Sequence, residues 1–213
     1  MHCFRVDANE YLGIGHITRC KSLALDLMKK KNSIIFVSHI TSQSFIENHI
    51  KGLCPIYYLK KTDSLINLQS HHKHDPLSPK IRALQENDAQ ETLSIISKYN
   101  IDWLVIDHYG ISGVWEKYFY NKYKLFIIDD LANQPHKCDL LLNQSLQLET
   151  NIYENLLSKK VKVRLGPKHV LLSDEYKKFN LNKRKIQKIK NVLIYVGSGE
   201  NEALILKIIK FSK

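Results

Sequence analysis

The stretch "HCFRVDANEYLGIGHITRCKSLALDLMKKK" (2–31) decides how the chain is to be read. Its opening, "HCFRVD" (2–7), is a short apolar run that ends in an acid, as a buried strand would. Gly13 and Gly15 then supply a loop in which the backbone can turn with positive φ or approach a ligand closely. From His16 to Lys31 the pattern changes to helical spacing. Ile17, Leu23, Leu27 and Met28 form one apolar stripe, and Lys29, Lys30 and Lys31 stand where the helix dipole favours cations. Strand, glycine loop and helix in that order make a βα unit, with His16 at the mouth of its helix.

The same design recurs along the chain. "SIIFVS" (33–38) reads as a strand, "SQSFIENHI" (42–50) as a helix and "CPIYYL" (54–59) as a third strand. Residues 60–82 lack periodicity and read as a loop. "ENDAQETLSIISKY" (86–99) returns to helix, with Asn87 or Asp88 as its expected cap. "DWLVIDHYG" (102–110) is an apolar strand with a polar end. A helix over 112–121 separates it from the strand "KLFIIDDLA" (124–132). "CDLLLNQS" (138–145) and "KVRLGP" (162–167) follow as further strands. Near-continuous apolar strands alternating with helices predict an α/β fold, a Rossmann-like parallel sheet with helices on both faces.

Such sheets bind ligands beyond the carboxyl ends of their strands. That rule brings together Asp7 with the glycine loop, Asp107-His108-Tyr109, Asp129-Asp130 and Asn143-Gln144. Adjacent strand residues point to opposite faces, so Asp129 and Asp130 are not expected to flank one bond as a glycosidase pair. One of them is expected to cap or anchor a loop. His16 reads either as a general base at this edge, since free imidazole titrates at about pH 6.5, or as an exposed polar residue in the first turn of a helix. "GIGHITR" (13–19) lacks the third glycine of the dinucleotide fingerprint.

The 213 residues carry a formal charge of +11, which raises the question of nucleic-acid binding. The excess is scattered lysine, the only arginines being Arg5, Arg19, Arg82, Arg164 and Arg184. No nucleic-acid motif accompanies it, so a solvated basic surface is the simpler reading. No apolar run reaches the roughly 18 residues of a membrane span, and no secretory signal is visible. Cys3, Cys20, Cys54 and Cys138 form no CxxC pair and are expected to be free thiols, which suits a cytoplasmic protein. "HHKH" (71–74) lacks the partners of a zinc motif and reads as loop. No cofactor is expected, and neither a membrane nor a nucleic acid is expected as partner.

Residues 174–190 are charged and linker-like. Beyond them "KNVLIYVGSGENEALILKIIKFSK" reads as a strand (191–196), a glycine loop (197–199) and a helix (202–211). The expected organisation is one domain over 1–175, a linker over 176–190, and over 191–213 the first βα unit of a second Rossmann-like domain. A strand and a helix bury no core of their own, so a missing C-terminal segment is an expected partner.

Taken together, "FRVDANEYLGIGHITRC", "ENDAQET", "DWLVIDHYG", "FIIDDLANQPHKCDLLLNQS" and "RLGPKHVLLSDEY" resemble the PseG-type UDP-sugar hydrolases of pseudaminic acid biosynthesis, relatives of the GT-B glycosyltransferase MurG. The resemblance implies a GT-B N-terminal domain followed by a nucleotide-binding domain, with a UDP-sugar between them and no metal. It implies hydrolysis of UDP-2,4-diacetamido-2,4,6-trideoxy-β-L-altropyranose to UDP and free sugar by inversion. In a bacterium that step would serve flagellin or cell-surface glycosylation. By motif position His16 matches the family's catalytic histidine. Gly13, Gly15, Arg19, Asp107, His108 and Tyr109 fall among substrate-binding positions, and Gly197, Ser198 and Gly199 fall where a loop meets the nucleotide phosphates. Departures occur at His169 and Ser173, where the family has tyrosine and arginine, and in "GSGE" (197–200). The alternatives are a GT-B glycosyltransferase and a non-catalytic sugar-nucleotide-binding fragment.

Overall fold

Seven parallel strands pair in the order β3-β2-β1-β4-β5-β6-β7 in the computed structural model. It describes residues 1–10, 12–60, 63, 65, 78–146, 151–178, 192–194 and 202–211. The strands are β1 (His2–Val6), β2 (Ile34–His39), β3 (Ile56–Leu59), β4 (Trp103–Asp107), β5 (Lys124–Ile128), β6 (Leu140–Asn143) and β7 (Lys162–Leu165). The helices are α1 (Gly15–Lys29), α2 (Gln43–Ile50), α3 (Pro79–Ile96), α4 (Gly113–Glu116), α5 (Asp174–Lys177) and α6 (Glu202–Phe211). The sheet is built outward from β1, first to β2 and β3 and then, after a reversal, to β4 and beyond. The α/β, Rossmann-like reading holds, and the point of reversal lies between β1 and β4, where His2–Val6 pair with Trp103–Asp107.

Alternation along the strands divides the core into two layers. Cys3, Ile35, Val37, Leu104, Ile106, Leu125 and Ile127 face one side and pack with Ala89 and Ile96 of α3 and with Trp115 and Phe119. Phe4, Val6, Ile34, Phe36, Val105 and Ile128 face the other and pack with Ile17, Cys20 and Ala24 of α1 and with Ile46 and Ile50 of α2. Burial on both faces is why the central strands are largely apolar. The four cysteines are free thiols, three of them buried. Among the described residues no helix is long and apolar enough to cross a membrane.

Several local expectations need correction. The helix placed at 86–99 begins at Pro79, whose missing N–H costs nothing in a first turn. Asp88 is therefore no cap: it lies in mid-helix, fully buried, where it accepts hydrogen bonds from Arg5 and Trp115. The helix expected over 112–121 is a single turn, Gly113–Glu116, with Ser112 as its cap. Val192–Ile194, inside the strand expected over 191–196, have no strand pairing among the described residues. The helix expected at 202–211 is present as α6. Within the linker-like segment Asp174–Lys177 is helical, with Lys29 bonded to Asp174 and Lys177 to Asp26 at 2.6 Å. The "HHKH" segment and residues 179–190 lie outside the described residues.

Candidate functional site

The chain leaves β1 through Asp7 and turns at Asn9–Gly13 before entering α1. Gly13 has φ +72°, and its N–H donates to the Asn9 carbonyl at 2.8 Å. The Asn9 side chain closes the same turn by accepting from the Leu12 N–H. This turn lets α1 start directly above the point of reversal. Among the described residues no side chain caps the α1 N-terminus, and no acid lies in its first turn. A Cβ added to Gly15 would meet nothing within 4 Å.

His16 and Arg19 project from the first turn of α1 to the end of β4. The ring Nδ1 of His16 lies 2.5 Å from Asp107 Oδ1. Arg19 grips the same carboxylate with both prongs, Nε–H to Oδ2 at 2.5 Å and Nη2–H to Oδ1 at 2.6 Å. Its third nitrogen, Nη1, donates to Asp130 Oδ2 at 2.6 Å. Tyr109 donates its hydroxyl to that same Asp130 oxygen at 3.0 Å and meets the His16 ring edge-on, centroids 4.5 Å apart. Two arms of β-strand end, β4 and β5, are thus tied to one helix by a single arginine.

Electrostatics keeps Asp107 and Arg19 charged. Burial disfavours a charged Asp107, but His16 and Arg19 outweigh it and hold the carboxyl well below its usual range. Burial likewise works against the Arg19 charge, and Asp107 and Asp130 more than restore it. An ionised Asp107 can only accept, so His16 Nδ1 must be the donor. The imidazole is then presented with Nε2 as its proton-accepting nitrogen.

The sequence is 26% identical over 207 residues to the UDP-2,4-diacetamido-2,4,6-trideoxy-beta-L-altropyranose hydrolase of Campylobacter jejuni. The chain resembles that hydrolase along nearly its whole length. The match takes in 96% of this chain and 63% of the hydrolase, so the chain spans less than two thirds of the curated relative. Among solved structures, MurG of Acinetobacter baumannii aligns with a TM-score of 0.45 at 12% identity, over 78% of this chain and 45% of that one. No protein-family model matches the sequence.

Of the residues expected at the site, His16, Arg19, Asp107 and Tyr109 meet in one cluster, and Gly13 and Gly15 shape the approach to it. His108 does not join them. Its side chain is wholly buried and faces the other way, where Nε2–H donates to Asp7 Oδ2 at 2.9 Å. The Gly110 N–H donates to its Nδ1 at 3.0 Å, which fixes the neutral tautomer. Burial lowers its proton affinity below that of free histidine. Asp7 also accepts from Ser38 Oγ and the His39 N–H, and Arg5 Nη1 lies 2.8 Å away. That knot ties the ends of β1, β2 and β4 together beneath the site.

The two adjacent acids divide as alternation requires. Asp130 turns to Arg19, whereas Asp129 anchors its own turn by accepting the N–H groups of Leu131 and Ala132. Tyr153 donates to Asp129 at 2.7 Å and receives Asn143 Nδ2–H at 2.9 Å. Gln144 accepts from the Leu171 N–H. Gly197, Ser198 and Gly199 lie outside the described residues. So does the "HHKH" segment, and among the described residues no group of three His, Cys, Asp or Glu is disposed to hold a metal ion. A cavity of about 630 Å³ lies elsewhere, against Tyr153, Leu157, Val163 and Arg164, and touches no member of the His16 cluster. Two buried pairs escaped the sequence reading, Arg5 with Asp88 and Glu116 with His136. A lone arginine inside the apolar run of β1 was the available signal for the first.

Proposed function

We propose that this chain hydrolyses a UDP-sugar of the 2,4-diacetamido-2,4,6-trideoxy class, with His16 as the base that activates water. The observation that carries the reading is the His16–Asp107 pair, sealed by Arg19 and set at the point where the sheet reverses. The likeness to the Campylobacter hydrolase supports the choice of substrate class.

Water bound at His16 Nε2 would lose its proton to the ring as its oxygen attacks C1 of the sugar. The C1–O bond breaks and its electron pair leaves on the β-phosphate oxygen of UDP. Attack from the face opposite UDP inverts the anomeric centre. A diphosphate is already a good leaving group, so no second carboxylic acid is required, in contrast to ordinary glycosidases. Asp107 fixes the tautomer beforehand and stabilises the imidazolium that forms. The α1 N-terminus at Gly15 would take part of the charge growing on the diphosphate. Tyr109 orients the ring from its edge. His108 supports the site from below, through Asp7, instead of touching the sugar. Gly197, Ser198 and Gly199 are proposed on motif position to meet the phosphates.

The test is hydrolysis in ¹⁸O-water followed by mass spectrometry of both products. Label in the sugar and none in UDP is expected. Label in UDP would rule out attack at C1. A glycoside formed with an added acceptor would make the protein a transferase, and UDP-sugar binding without turnover would leave it a binding fragment.

A further inference from the structure

We propose that His136 is a positioning residue: bridging Glu116 and Asp129, it holds the turn that sets Asp130 against Arg19 and Tyr109. The ring is buried, with Nδ1 2.6 Å from Glu116 Oε1 and Nε2 3.8 Å from Asp129 Oδ2, a distance within ion-pair reach but too long for a hydrogen bond. Glu116 has no exposure at all, and its second oxygen accepts the Lys137 N–H at 2.6 Å. It is therefore committed to the segment that carries His136. Asp129 is committed in turn to the backbone of Leu131 and Ala132. Ala132 has φ +48°, a conformation that a residue with a Cβ holds only under restraint.

The chain of contacts runs from Glu116 on α4 through His136 to Asp129 and then to its neighbour Asp130. Asp130 is the only acid beside Asp107 that the described residues show bonded to Arg19. The charged and titratable groups around the ring are Glu116 from α4, Asp129 from the end of β5 and Tyr153, which donates to Asp129. Cys138, two residues further along, lies in the same acidic field. Burial opposes a charge on the ring, but Glu116 and then Asp129 outweigh it and favour the imidazolium. Two anions on opposite ring nitrogens give that cation a mechanical role, since loss of its proton leaves Asp129 facing a neutral ring. The Asp129–Ala132 turn then loses one of its restraints, and Asp130 moves with it.

The significance for catalysis rests on the reading of the Asp107 cluster as the site, but the test reads Arg19 itself and needs no turnover. Isotope-labelled 213-residue protein is examined by NMR, following rotation of the Arg19 Nη groups. His136→Asn is expected to speed that rotation by about tenfold, equivalent to about 1.4 kcal/mol of lost restraint. Asp130→Asn should do the same, and adding His136→Asn to it should change nothing more. In the wild-type protein the Arg19 Nη signals should move at the pH where the His136 ring titrates, and Glu116→Gln should lower that pH. A His136→Asn protein that loses thermal stability while Arg19 rotation is unchanged would overturn the proposal. So would additive effects of the two substitutions. Where His136→Asn does not fold, the wild-type titration decides, and Arg19 signals that stay fixed through the His136 titration reject the idea.

Discussion

His16 and Arg19, three residues apart on α1, hold the same carboxylate, with Oδ1 of Asp107 shared between the His16 ring and Arg19 Nη2. Residues at that spacing face one way on a helix. The arrangement lets one strand-end acid do two things. It selects the tautomer of the His16 ring, and it clamps the helix that carries the ring to the sheet. Arg19 cannot be deprotonated in ordinary conditions, so Asp107 is never left without a counter-charge.

Replacing His16 by Gln should lower kcat by about 10²–10⁴, the usual contribution of a general base, with the circular dichroism spectrum unchanged. Asp107→Asn should cost a similar factor for another reason, because its amide can present N–H to Nδ1 and so favour the unproductive tautomer. UDP release measured for both variants checks this. Full activity in either would remove the dyad from the mechanism.

Acid should unfold the protein through Asp107 and Asp7. Burial alone would raise both pKa values, but Arg5 and His108 at Asp7, and His16 and Arg19 at Asp107, hold both well below the usual range. The folded state therefore binds fewer protons than the unfolded chain, whose aspartates titrate near 3.9. The stabilisation is complete above that value and is lost as pH falls towards the folded pKa. Urea midpoints measured from pH 7 down to pH 3 should fall steeply below about pH 4. Asp7→Asn should start lower and fall less.

The sheet was legible in the sequence because period-two burial on both faces leaves runs such as "DWLVID" (102–107) with hardly a polar residue. That His16 and Asp107 come together was legible too, since strand ends converge wherever a parallel sheet reverses, whereas Arg19 entered only through the family resemblance. The direction of the His108 side chain was misread. The alternation that separates Asp129 from Asp130 also turns His108 away from Asp107, but the family motif groups Asp107, His108 and Tyr109 together, and His108 meets the Asp7 carboxylate across β1. The start of α3 was missed because Ile81 alone, between Pro79, Lys80 and Arg82, is too little apolar sequence to show a helical period. Asp88 was mistaken for a cap because its true partners, Arg5 and Trp115, lie far along the chain.

Gly110→Ala should be destabilising despite its small size. A Cβ there would lie 2.9 Å from the Leu65 carbonyl oxygen and 3.1 Å from His108 Cε1. Backbone on one side and a hydrogen-bonded ring on the other leave little room to yield. A loss of about 1–3 kcal/mol, the usual cost of overpacking, is expected in urea denaturation. Unchanged stability would mean that Leu65 moves freely away.

The buried Arg5–Asp88 pair yields the last prediction. Arg5 donates to Asp88 through Nε at 3.2 Å and Nη2 at 2.6 Å, and both side chains have no exposure. Burial works against the Arg5 charge, which Asp7 and Asp88 together restore. Removing Asp88 leaves a cation in the core with half of its counter-charge, a change that typically costs about 3–5 kcal/mol. It also strips the acceptor from Trp115 Nε1–H, held at 2.7 Å. Asp88→Asn keeps an oxygen for the indole and removes only the charge, whereas Asp88→Leu removes both. Stability by urea denaturation should therefore fall in the order wild type, Asp88→Asn, Asp88→Leu. The gap between the two variants should be about 1–3 kcal/mol, the cost of stranding a buried donor. Equal stabilities for the two would show that the indole finds another acceptor.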